Sequence, residues 1–370
     1  MSRIQASDLS ENDLIEYLVN MIQISRPHYS RNMIINLMIC TTQGMLTVFA
    51  GPPGCGKTSI CNIISKVLGT RNQKNIEIDG VSVKPNRFVQ VSVERGWTSK
   101  RDFIGYYNPL TKTFEENNHE VFDGLKLLNT EARKGIHGLP YIILLDEANL
   151  SPMEYYWADF MNVCDDLESN HSINLGNNNI FEIPETLHFL ATINNDHTTE
   201  TLSPRLIDRA WVVTLPQEKS YISGKEIPED RIETIAWENL KNLFAEYEEE
   251  ELEFSSDIQI VYDEIKKKLS DIGPALSIRT DKLIRRYCAV ASRLMEDNTE
   301  VAYSSEIIAL DYAISQKVLP KISGNGDDFE IWLTEFRDYA KKNYLNNSAA
   351  ILNRILENGK RQMKFFQFFN

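Results

Sequence analysis

Gly51-Pro52-Pro53-Gly54-Cys55-Gly56-Lys57-Thr58 is the stretch that decides the fold. It is a glycine-rich loop closed by Gly-Lys-Thr, a pattern whose backbone N–H groups wrap a polyphosphate. Leu46-Thr47-Val48-Phe49-Ala50 reads as a buried strand running into it, and residues 59 to 68 read as a helix leaving it. The loop then lies at a helix N-terminus, where the dipole favours negative charge. Lys57 is placed to reach the β- and γ-phosphates, and the Thr58 hydroxyl to ligate Mg²⁺. Gly51, Pro52, Pro53, Gly54, Cys55, Gly56, Lys57, Thr58 and Ser59 are the candidate binding residues for a nucleoside triphosphate, ATP or GTP.

The second signal is Tyr141-Ile142-Ile143-Leu144-Leu145-Asp146-Glu147. A buried strand delivers two carboxylates at its C-terminal end, beside the phosphate loop in sheets of this kind. Asp146 is the candidate metal ligand, directly or through water. Glu147 is the candidate base for the attacking water. Phosphoryl transfer needs both charge neutralisation and an oriented nucleophile, so two acids at one strand end point to hydrolysis. Ala191-Thr192-Ile193-Asn194 ends another strand, and an uncharged amide there can hydrogen-bond the γ-phosphate and the water; Asn195 competes with Asn194 for this role. Arg205 and Arg209 stand four apart on one helix face, placed to reach the γ-phosphate of a neighbouring subunit. Arg279, at a helix start, is a candidate contact to the phosphates of its own subunit.

The chain has 370 residues, enough for two or three domains. Its hydrophobic and charged contents, 42% and 25%, are those of an ordinary soluble protein. The first residues lack a signal-peptide core, and no apolar stretch is long enough to span a bilayer. Five cysteines without paired ligand spacing read as reduced thiols of a cytoplasmic protein. A formal net charge of −14 excludes a surface coated for nucleic acid. Part of that excess is the run from Glu246 to Glu253, read as a solvated helix end or loop. Asp165 and Asp166 read as surface charge, and no nuclease signature is present.

Strands and helices alternate up to about Pro216, which predicts an α/β fold with a mostly parallel sheet flanked by helices. Ser10 caps a first helix with Leu14, Ile15, Leu18, Val19 and Ile22 on one face. A helix is expected from Pro152 to Glu168, and hairpins over 76–83 and around Gly176. After Pro216 the pattern is helical: 233–250, 257–269, 280–295, 305–318, 328–342 and 348–356. The expected division is therefore 1–216, including lead-in helices over 1–44, and an all-α lid and C-terminal subdomain over 217–370.

Together these motifs resemble the AAA+ superfamily, and more narrowly the McrB-like branch of its dynein-related group. The narrower likeness rests on Gly96-Trp97 through Gly105-Tyr106-Tyr107-Asn108-Pro109-Leu110, on Leu145-Asp146-Glu147-Ala148-Asn149-Leu150, and on Asn194-Asn195-Asp196-His197 with Leu202-Ser203-Pro204 and Asp208-Arg209-Ala210. The resemblance implies a homo-oligomeric ring, usually a hexamer, with Mg²⁺-nucleotide between subunits. By motif position Asn194 matches sensor 1, Arg209 the arginine finger and Arg279 sensor 2. In McrB the ring is a GTP-driven motor that activates a partner endonuclease. A restriction or phage-defence role with a separate nuclease or effector subunit follows, with DNA reached through the complex and no membrane. The sensor segment departs from McrB's Met-Asn-Thr-Ala-Asp-Arg, so guanine preference does not carry over and ATP is favoured. Only about forty residues precede the first strand, too few for McrB's DNA-recognition domain. Two rivals use the same parts: a MoxR-like protein-remodelling chaperone, and a nucleotide-gated scaffold for an effector. Lys100 and Arg101, beside Tyr106 and Tyr107, are candidates for contact with a polymer or a partner.

Overall fold

The computed structural model describes residues 9–71, 76–78, 81–83, 86–136, 138–164, 171–177, 179–194, 199–215, 224–297 and 304–369, with backbone only for 76–78 and 81–83. Asn195, Asp165, Asp166 and the boundary at Pro216 lie outside the described residues.

Five strands form one parallel sheet: β1 (Leu46–Gly51), β2 (Phe88–Ser92), β3 (Tyr141–Asp146), β4 (Leu187–Asn194) and β5 (Trp211–Thr214). Their order is β5-β1-β4-β3-β2. Both faces are covered, so the inner strands read as continuous apolar runs rather than alternating ones; every residue of β1 is buried. The register sets the strand ends level. Gly51 lies opposite Asn194, and Asp146 lies opposite Ser92. The chain leaves β1 for the far edge of the sheet and returns, which opens a crevice at the carboxyl ends beside β1.

Helices α1 (Glu11–Ser25), α2 (Arg31–Gln43), α3 (Lys57–Val67) and α4 (His119–Arg133) belong to this α/β part, with α5 (Pro204–Arg209) just before β5. The Ser10 hydroxyl accepts from Asp13 N and Ser30 from Met33 N, so α1 and α2 each begin at a serine cap. The apolar face expected of α1 is buried. Then come α6 (Trp237–Phe244), α7 (Ser256–Asp271), α8 (Ile278–Leu294), α9 (Ser305–Lys317), α10 (Asp327–Lys342) and α11 (Asn346–Arg361). The stripe of Ile284, Tyr287, Cys288 and Ala291 on α8 is core, and α8 packs on α2 while α9 packs on β5. The fold is therefore an α/β core followed by a helical region, as the sequence pattern requires. No described helix is long and apolar enough to cross a membrane.

Four differences stand out, and the first three have physical causes. The helix expected over 152–168 is two short ones, Met153–Tyr156 and Ala158–Val163, broken at Trp157. Trp157 turns inward and packs edge-on against Phe189 of β4, and that burial outweighs the continuity of one helix. The helix expected over 233–250 is only α6, and the acidic run forms a 3-10 turn over Glu249–Leu252, because adjacent like charges disfavour a long helix. The last helix starts at Asn346 and runs on to Arg361. Its first N–H groups are capped from a distance: the buried Asp311 carboxylate of α9 accepts from Asn347 N and Ser348 N. Gly105–Asn108 and Thr113–Glu116 pair as a hairpin that alternation alone did not disclose. The expected hairpin near Gly176 pairs Ser172–Asn174 with Ile180–Glu182.

Candidate nucleotide site

The loop from Gly51 to Thr58 joins β1 to α3, and its shape depends on glycines. Gly56 caps α3 at φ +86, a conformation that costs a side-chain-bearing residue free energy. A β-carbon on Gly51 would stand 2.8 Å from Cys55 Sγ, so the start of the loop also has no room for one. The ammonium of Lys57 is buried and donates to the carbonyl oxygens of Gly51 (2.8 Å) and Pro52 (2.9 Å). It thus waits at the loop's mouth, where phosphate oxygens would compete for it.

Asp146 closes β3 next to Thr58. The Thr58 hydroxyl donates to Asp146 Oδ1 at 2.8 Å, the Thr192 hydroxyl donates to the same oxygen at 2.6 Å, and Gln90 Nε2 donates to Oδ2 at 3.3 Å. The carboxylate is therefore held from the start of α3 and from two strands, β4 and β2. These residues fit Mg²⁺: bonds of 2.0–2.1 Å in an octahedron place adjacent ligand oxygens about 2.9 Å apart, close to the Thr58–Asp146 separation. No cluster of three or more His, Cys, Asp or Glu able to hold a metal occurs among the described residues. A Mg²⁺ there would be held by one carboxylate, one hydroxyl, water and the phosphates themselves.

Glu147 follows in the left-handed region, φ 55 and ψ 43. Such a conformation costs a non-glycine residue on the order of 1–3 kcal/mol and clusters at functional sites. Its N–H donates to Thr192 Oγ1 at 2.9 Å, which holds the turn. The Glu147 side chain is exposed, and its carboxylate has no partner among the described residues. Thr192 therefore serves both acids, accepting from one backbone and donating to the other side chain. Asn194 ends β4, and its backbone is clamped by the buried Asn149, which donates to Asn194 O at 2.9 Å and accepts from Asn194 N at 3.2 Å.

The arginines gather elsewhere. Arg205 is exposed, whereas Arg209 donates to Met161 O at 3.1 Å and to Arg205 O at 2.8 Å. Arg279 stands with them, its guanidinium 3.7 Å from Asp208 of α5. All three line one cavity of about 710 Å³, and no phosphate-loop residue lines it. Arg279, read from the sequence as a contact to the phosphates of its own subunit, pairs here with Asp208 on the face that carries Arg205 and Arg209. Asp208 also accepts from Lys321 Nζ at 2.7 Å and from Thr280 Oγ1 at 2.8 Å. Burial pushes the Asp208 carboxyl up, but Lys321, the Thr280 hydroxyl and Lys317 outweigh it and hold it at about 2. Lys317 is buried, donates to Ala210 O at 2.7 Å and is pulled down to about 7 by burial and by Lys321. These lysines cap the C-terminus of α5 from the helical region.

A second cavity, of about 560 Å³, adjoins the loop at Pro52 and lies between α2, the end of β5, α9 and α11. Arg354 lines it with Nε and Nη2 buried and without a hydrogen-bond partner among the described residues, and Thr214 Oγ1 is likewise buried and unpartnered. Sequence reasoning missed Arg354, Thr192, Asn149 and Gln90, because each is defined by what lies across the fold. Thr192 alone carried a signal, a hydroxyl inside an apolar strand. Lys100 is tied to Asp159 Oδ2 (2.8 Å) and Asn174 O (2.5 Å), and Arg101 lies over the Tyr106 ring at 5.5 Å. Leu110, 91% exposed at the hairpin tip, is what that segment presents outward.

Residues 32–163 match the model of the Rad17 P-loop domain, and residues 230–365 match that of a domain of unknown function (DUF8727). No curated protein matches the chain. The first match spans α2 to Val163 and so includes the phosphate loop and both acids. The chain thus carries a nucleotide-binding P-loop domain of the AAA+ type. Neither match covers Asn194, Arg205 or Arg209.

Proposed function

We propose that this chain is a Mg²⁺-dependent nucleoside triphosphatase, the ring-forming motor subunit of a McrBC-like restriction or phage-defence complex that acts with a separate nuclease or effector. The observation that carries the hydrolytic reading is the convergence of Thr58 and Thr192 on the Asp146 carboxylate, with the exposed Glu147 carboxylate beside it without a partner among the described residues. Bound Mg²⁺ would neutralise charge on the β- and γ-phosphates. Lys57 would leave the loop carbonyls for those phosphates. Glu147 would accept the proton of the attacking water, and the Asn194 amide would orient that water against the γ-phosphate. Arg205 is exposed and Arg209 lines the same cavity away from the phosphate loop, which supports one of them acting on the nucleotide of the next subunit in a ring. Residues 1–216 would then form the α/β subdomain and 217–370 the helical lid. ATP is the favoured substrate, with GTP the alternative.

A second reading, a MoxR-like remodeller of proteins, draws on one observation. The hairpin over 105–116 offers an apolar tip at Leu110, while its neighbouring Lys100 is already bound within the chain. An apolar tip suits a protein contact better than a phosphate backbone.

The test separates binding from turnover. Lys57→Ala should lose nucleotide binding. Glu147→Gln should still bind Mg²⁺-nucleotide but hydrolyse it about 10²- to 10⁴-fold more slowly. Near-normal hydrolysis by Glu147→Gln would remove the base assignment. Purification from the native host with ATP, and separately with GTP, should bring down a nuclease or effector subunit; recovery of protein clients alone would favour the remodelling reading.

A further inference from the structure

We infer that Arg26 is a phosphate ligand of the nucleotide site, delivered to the α- and β-phosphate side of the loop by the turn between α1 and α2. The inference rests on the reading that the loop binds Mg²⁺-nucleotide. Arg26 is remote in sequence from the phosphate loop, and nothing in its own surroundings marks it as a ligand. In the fold its Nη2 donates to Ser59 Oγ at 2.6 Å, and its Nη1 donates to Ser25 O at 3.0 Å. A β-carbon built on Gly56 would lie 3.3 Å from Nη2. The guanidinium therefore stands over the first turn of α3.

That position is electrostatically wrong for a resting protein. A helix N-terminus carries partial positive charge and disfavours a cation beside it. A guanidinium is also always charged. Yet Arg26 has no carboxylate partner among the described residues, and its contacts are one hydroxyl and one carbonyl. What the site lacks is an anion between the guanidinium and the N–H groups of the loop. A polyphosphate in the loop supplies it. Position along the phosphate chain follows from the loop. Lys57 serves the β- and γ-phosphates, and the backbone N–H groups cradle the α and β. Ser59 follows Lys57 and Thr58 and bonds neither Asp146 nor Asn194, which Thr58, Thr192 and Asn149 hold, so Arg26 meets the α- and β-phosphates rather than the γ.

The consequence is a link between the nucleotide and two distant segments. Ser25 Oγ donates to Lys225 O at 2.7 Å, and Lys225 N donates to Ile24 O at 2.8 Å. The turn that carries Arg26 is thus tied to the chain entering the helical region. A diphosphate would already engage it, so this contact would persist after hydrolysis while those of Glu147 and Asn194 are lost.

The experiment titrates the full chain with Mg²⁺-ADP and with Mg²⁺-ATPγS, and with the two guanine counterparts, for wild type, Arg26→Gln, Arg26→Ala and Arg26→Lys. A charge-assisted hydrogen bond lost from each complex weakens binding by about 10- to 100-fold. The loss should be equal for di- and triphosphate, smaller for Arg26→Lys, and accompanied by a shallower salt dependence. The melting temperature without nucleotide should stay that of the wild type, and Arg26→Gln retains a donor for Ser59. Wild-type binding with undiminished binding by Arg26→Gln and Arg26→Ala overturns this proposal alone. A loss confined to the triphosphate also overturns it, because the cation would then read the γ-phosphate. A wild-type chain that binds no nucleotide overturns the nucleotide reading itself, and this inference with it.

Discussion

Asp208 is the residue on which the arginine-bearing face depends, and Asp208→Asn tests that dependence. The carboxylate holds Lys321 at 2.7 Å and Thr280 at 2.8 Å, and lies 3.7 Å from Arg279. Its pKa falls from 3.8 to about 2. At 1.36 kcal/mol per pH unit that interval corresponds to ~2.5 kcal/mol of preference for the charged form. Part of the carboxylate faces solvent, which screens the interaction, so about 1 kcal/mol of stability is the expected contribution at neutral pH. Because the folded-state pKa is depressed, the contribution is complete above about 4 and is lost as pH falls from there through about 2. Chemical denaturation of wild type and Asp208→Asn should differ by about 1 kcal/mol at pH 7, and the gap should shrink as the pH drops below 4. The asparagine retains hydrogen-bonding capacity for Thr280 but leaves Lys321 beside Lys317 without its anion. Arg279 loses this carboxylate at the same time, so concentration-dependent turnover should fall more than stability does. A gap under 0.3 kcal/mol at pH 7, or one unchanged at pH 3, would refute the reasoning that Asp208 is charged and holds the lysines in place.

Two further outcomes follow from the geometry. Arg205→Ala and Arg209→Ala, each mixed with Lys57→Ala subunits, should show rescue of hydrolysis for the arginine that acts across an interface, since a trans arginine is worth on the order of 10³–10⁵ in rate; no rescue for either, in assemblies shown to be mixed, removes the shared site. Arg354→Met should raise the stability of the nucleotide-free protein by about 1 kcal/mol, because burial disfavours the charge and its Nε and Nη2 lack partners; a destabilised variant in thermal melts would mean that packing on Phe368 outweighs that penalty.

What was legible in the chain itself was everything local. Gly51 to Thr58 fixes a strand, a loop and a helix because glycine positions, a lysine and a hydroxyl recur at fixed spacing. The apolar run before Asp146 fixes a doubly covered strand. The parallel sheet follows from alternation, and the serine cap of α1 was legible at Ser10, whereas the Ser30 cap of α2 was not read. The helical region was visible in the stripes of α8 and α9, although α6 and α11 were bounded poorly. Their ends are set by a glutamate run and by a cap from Asp311 on another helix. Tertiary structure alone decided which groups meet. Thr192 joins Asp146 and Glu147 only because β4 lies beside β3 in register. Arg279 meets Asp208 because the helical region packs on the α/β part, with α9 on β5, which also brings Lys317 to the end of α5. Arg26 reaches Ser59 because α1 folds back against α3. The physical reason is range. Backbone propensity and phosphate-loop geometry act over a few residues, whereas the partner of a charge is chosen by packing between segments tens to hundreds of residues apart.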